Sequence, residues 1–153
     1  MKEVILLSHV VLGVGCLLSA VWLFVDVLNA HAGKSRRIRR ASLAVAVFMW
    51  GAFLMGGYWY VAAYPSDKSI ILNGPFPAAH NFFMETKEHF VITLLLLATF
   101  LPIAASNNLV SNAAARRLVL CLTASVAALA LLAEGHGAII ALGVKLALLP
   151  HSP

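Results

Sequence analysis

Three histidines, His9, His89 and His136, fall inside or at the edge of long apolar stretches, where an ionisable side chain is costly and marks a functional site by default. His9 stands 20 residues before Asn29, His89 18 before Asn107, and His136 19 after Arg117. A helical rise of ~1.5 Å per residue lifts all three to about 27–30 Å above one common boundary. Imidazole is the side chain most often found on transition metals and haem iron, and it exchanges protons near neutrality. Acids join the same layer. Glu85 and His89 are i and i+4, so they share a helix face, Glu88 lies beside them, and Glu134 precedes His136 by two residues, about 200° around the helix. Glycines flank two of the histidines: Gly13 lies one turn from His9 on its face, Gly15 follows, and Gly135 and Gly137 bracket His136. A glycine beside a ligand clears room for a flat macrocycle. Equally, small residues let membrane helices approach closely, the role expected of Gly51, Gly56 and Gly57.

The elements that must hold this layer are helices. Of 153 residues, 61% are hydrophobic and 11% charged, against ~25% charge in ordinary soluble domains, and the mean hydropathy is +0.91. The pattern predicts an all-α membrane protein, one domain over residues 1–153, with four transmembrane helices at about 4–30, 41–63, 81–105 and 116–149. Little chain remains for a separate soluble catalytic domain. The two basic connections hold seven of the eleven Lys and Arg: Lys34, Arg36, Arg37, Arg39 and Arg40 in one, Arg116 and Arg117 in the other. The positive-inside rule puts both in the cytoplasm, so the bundle runs up and down with both termini outside, as in a bacterial inner membrane. The formal charge of +5 then reflects topology and membrane lipid, and no nucleic-acid partner is expected. The first apolar run is too long for a cleaved signal and is read as a retained span.

Smaller features follow from position. Between the second and third spans, Pro65, Gly74, Pro75 and Pro77 favour turns and extended backbone, and Tyr58, Trp59, Tyr60 and Tyr64 suit an interfacial aromatic belt. Pro102 predicts a kink whose freed carbonyl Thr99 could satisfy. Cys16 and Cys121 lie about 20 and 6 Å from the basic boundary, too far apart to pair, and serve packing. Asp26 and His31 sit close to Arg36–Arg40 and predict a local ion pair. His151, between Pro150 and Pro153, is expected to be solvated.

Four short-looped helices with histidines in one layer resemble the small membrane cytochrome b subunits of quinol-linked oxidoreductases. The resemblance is architectural and rests on the hydropathy of the whole chain and on His9, His89 and His136. It implies a b-type haem held by His136 and His89, with His9 as the substitute partner, since the fourth helix of such a bundle neighbours both the first and the third. Gly13, Gly135 and Gly137 would border the ring. Lys87, Lys68, Lys145 and His80 would face its propionates or a quinol head group, and Glu85 or Glu88 would accept quinol protons. No histidine falls in the half of a span nearer the basic connections, so at most one haem is implied. Electrons would pass to a quinone, an outer-side carrier or a partner subunit on that side. Two other readings use the same residues: direct binding of Zn²⁺, Cu²⁺ or Fe²⁺ by the histidines with Glu85 or Glu88, or a cofactor-free accessory subunit of a larger membrane complex.

Overall fold

The computed structural model describes residues 2–149. His151 lies outside the described residues. Four helices are long and apolar enough to cross a membrane: α1 (Lys2–Leu28), α2 (Ser35–Ala62), α4 (Glu85–Ala104) and α5 (Ala113–Leu148), with α3 (Tyr64–Leu72) between the second and third spans. No strand occurs among the described residues. The spans form a ring in which α1 packs on α2 and α5, and α4 on α2 and α5. The first and third connections are short and the second holds α3 and a π-helical turn, so the spans follow one another around the ring with neighbours in sequence packed side by side.

Side chains of Cys16, Ala20, Leu23 and Val27 of α1 meet Val45 and Met49 of α2, Leu94, Ala98 and Leu101 of α4, and Val119, Val126 and Ala130 of α5 in one continuous core. The outward faces are equally apolar. Leu18, Val47, Leu96 and Leu131 are each 60–65% exposed, a surface that suits lipid and not water.

Three local structures differ from the sequence expectation. The basic cluster expected as a loop is already helical, because α2 starts at Ser35, where arginine is a good helix former. The segment after the second span, expected as turn and extended backbone, contains the nine-residue α3 with Pro65 in its first turn. Proline fits there because its missing N–H has no helical partner in any case. Ahead of α4, Ala79–Met84 forms a π-helical turn that leads directly into the span, an irregularity that often marks functional segments. At Pro102, α4 continues to Ala104, and the Thr99 hydroxyl donates to Leu95 O and accepts from Trp50 Nε1. It therefore ties α4 to α2 and leaves the carbonyl freed by the proline alone.

Charge closes the basic end. Asp26, 2% exposed, accepts from Arg37 through both carboxylate oxygens, from Trp22 Nε1 at 3.1 Å, and lies 3.6 Å from Lys34 Nζ. The expected local ion pair is present, with His31 exposed outside it. Arg39 and Arg116 donate to Ser106 O and Leu28 O, at the carbonyl ends of α4 and α1, where the helix dipole favours a cation. Cys16 is buried, Cys121 exposed, and both are free thiols.

Candidate functional site

Counted along the helices, His9, Lys87 and Glu134 lie about 26–31 Å from the basic ends of α1, α4 and α5. The three side chains line one cavity of about 30 Å³, together with Gly13, Cys16 and Met49, enough for one or two water molecules. Two glycines make this arrangement possible. The Glu134 carboxylate lies against Gly13, in the place a β-carbon would take. Across the α1–α2 seam, a methyl group on Gly56 would come within 2.7 Å of the His9 ring. His9 Nδ1–H donates to Ala52 O at 2.8 Å, which leaves Nε2 as the basic nitrogen.

Lys87 and Glu134 feel each other's charge, yet their charged atoms stand farther apart than the 4.0 Å of a direct ion pair. Neither makes a hydrogen bond among the described residues. Lys87 Nζ reaches toward Gly137, about 3.2 Å from where its β-carbon would be. An ammonium and a carboxylate thus line one apolar-walled cavity with room for water, in a bundle where an unbalanced charge is expensive.

The other expected site residues are dispersed. His136 is wedged between Phe83 and Phe90, edge-on to both rings at 5.3 and 5.4 Å, with Nδ1–H donating to Leu132 O at 2.8 Å. His89 is exposed, donates to Glu85 O at 2.6 Å, and lies about 200° around α4 from Lys87. Glu85 and Glu88 are exposed on the rim, Glu88 against the Tyr60 hydroxyl. Gly135 faces open space, whereas Gly13 and Gly137 leave room for Glu134 and Lys87.

A b-type haem needs two facing imidazoles and a slot between them. Here the three rings face a helix seam, an aromatic cage and the outside, and the cavity beside His9 is about 30 Å³, tenfold below the ~300 Å³ at which ligand pockets begin. The residues in this packing do not fit a haem. Nor do three or more His, Cys, Asp or Glu side chains among the described residues group closely enough to hold a metal ion.

A second polar pair lies under α3. Tyr64, 1% exposed, and His80, 3% exposed, share a hydrogen bond of 2.8 Å between the phenol and Nδ1. Tyr64 stacks on Tyr60 at 5.4 Å and packs on Trp59 at 5.3 Å, so the expected aromatic belt is in part a buried cluster. Burial, with the Glu88 carboxylate nearby, holds the Tyr64 phenol well above its usual range.

No family model matches the chain, and neither a curated protein nor a solved structure shows significant similarity to it.

Proposed function

We propose that this chain is an integral membrane protein in which Glu134 takes up and releases a proton inside the bundle, serving as the proton-transfer subunit of a larger membrane complex. The supporting observation is the shared cavity: a carboxylate and an ammonium without direct contact line one water-sized space, with His9 in the wall. A proton arriving through water would move onto the Glu134 carboxylate, and His9 Nε2 is the second acceptor. Lys87 balances the carboxylate when the proton leaves, so the deprotonated state strands no unbalanced charge in apolar surroundings, whereas protonation leaves the ammonium uncompensated and so favours the proton's release. In this reading the basic connections face the cytoplasm of a bacterial inner membrane and the cavity lies toward the outer side. Glu85 and Glu88 stand outside the cavity and take no part in it.

The test is pH-difference infrared spectroscopy of the chain reconstituted in lipid. A carboxyl band that titrates between pH 4 and 9, and that is missing from Glu134→Gln, is the expected result. A spectrum unchanged by that substitution would overturn the proposal. The quinol-linked haem reading requires His136 to leave its cage of Phe83 and Phe90, and it is separable by absorption. We expect the purified chain to show no Soret band, oxidised or reduced, and a b-type alpha band would favour haem over proton transfer.

A further inference from the structure

At the basic end, internal pairing uses up some of the arginines and leaves others. Asp26, the acid nearest this end, is taken by Arg37 and Lys34. Arg39 and Arg116 are spent on carbonyl ends of α4 and α1. Arg36, Arg40 and Arg117 are left without a hydrogen bond or ion pair among the described residues.

Two of these three are neighbours on one face. Arg36 and Arg40 are i and i+4 on α2, one helical turn apart. Each lies about 200° around the helix from a buried residue, Ile38 and Ser42 respectively, so the pair points away from the bundle. The same outward stripe continues along the helix as Leu43, Val47 and Leu54, which are 56%, 60% and 62% exposed. Two guanidinium groups therefore head an apolar track that runs about 17 Å along the span. Guanidinium binds phosphate oxygens through paired N–H donors, and a phosphodiester between two such groups is held from both sides. Below it, an acyl chain lying on Leu43, Val47 and Leu54 would cover apolar surface that water cannot.

We propose that Arg36, Arg40 and the stripe of Leu43, Val47 and Leu54 bind one anionic phospholipid of the leaflet at the basic end. Both parts of the ligand are needed: an anion for the unpaired arginines and a hydrocarbon chain for the track. A zwitterionic lipid supplies the second without the net charge. Its arginines lie about 18–24 Å along α2 from Ala52, where that helix meets the Glu134 cavity, its apolar track faces away from the bundle, and it does not depend on proton transfer in the cavity.

The experiment is native mass spectrometry of the full chain released from detergent micelles containing equal phosphatidylglycerol and phosphatidylcholine of identical acyl chains. The wild-type chain should retain one phosphatidylglycerol and little phosphatidylcholine. Arg36→Gln with Arg40→Gln should weaken that retention by roughly tenfold to thirtyfold, given the usual contribution of a basic residue at an anionic surface. Arg117→Gln, an unpaired arginine on α5, should keep it. Both α2 arginines are exposed and unpaired, so the double variant preserves the packing, which its circular dichroism verifies. The single variants should show the same loss in smaller steps. Equal retention of the two lipids, or undiminished phosphatidylglycerol on the double variant, would refute the site.

Discussion

Truncation of Tyr64 to alanine should lower the unfolding free energy by about 3–5 kcal/mol, the range for removing a large, fully buried aromatic side chain. Its ring fills the space between α3, the π-helical turn and α5, against Ile71, Ala79, Met84 and Ile140, and it is 1% exposed. Alanine would leave a cavity there and remove the partner of His80 Nδ1. Tyr64→Phe separates the two losses. It keeps the ring and strands only the imidazole, at about 1–3 kcal/mol for one buried group left unpaired.

The phenol also predicts a pH signature. The folded state holds the Tyr64 proton above the usual tyrosine range, whereas the unfolded chain releases it near pH ~10. Above that pH the native state binds more protons than the unfolded state, so stability falls as pH rises through about 10. The contribution is fully present below that pH, and Tyr64→Phe should lack this fall. Urea unfolding in micelles, followed by circular dichroism across pH 7–11, measures all three effects. A Tyr64→Ala chain within 1 kcal/mol of wild type would mean that Tyr64 does not hold the cluster of Ile71, Ala79, Met84 and Ile140 together.

The helices were legible because long apolar runs leave the backbone few alternatives in lipid. Their ends were less so. Arginine marks a membrane boundary without breaking a helix, so α2 begins six residues earlier than the hydropathy suggested. Pro65 read as a breaker, although it sits where a helix tolerates proline best. The site divides in the same way. Height along each span could be counted, and a common layer of polar groups is present. Rotation could not, because spans that are apolar all round lose the periodic signal that marks an inward face. His89 and His136 stand two residues along their helices from Lys87 and Glu134 but do not line their cavity. From sequence Lys87 is expected to face propionates or a quinol head group, although two signals point inward. It shares a helical face with Leu94, Ala98 and Leu101, which are buried, and it lies level with an acid on the adjacent span. Gly13 was informative too, but the group it admits is a carboxylate and not a macrocycle.

Lys87→Met should cost stability at neutral pH, on the order of 3 kcal/mol, the scale for leaving one charge uncompensated in apolar surroundings. The loss stays at that scale because the two charges are not in direct contact and line a cavity with room for water. The cost arises less from lost attraction than from what remains, a carboxylate set among apolar walls with no counter-charge. Glu134→Gln should cost a similar amount, this time by stranding the ammonium. The double variant Lys87→Met with Glu134→Gln removes both charges while nearly conserving volume, so it should recover to within about 1 kcal/mol of wild type, a coupling well beyond the ~0.5 kcal/mol limit of additivity. A further distinction follows from proton exchange. If Glu134 can take a proton from water, the deficit of Lys87→Met shrinks as pH is lowered, since a neutral carboxyl needs no cation beside it. A side chain engaged only in packing would show the same deficit at every pH. Urea unfolding of the four chains in micelles at pH 5 and 8 decides the matter. Simple addition of the two single losses would mean that Lys87 and Glu134 do not act as a unit, and the proton-transfer reading of the cavity would fall with that result.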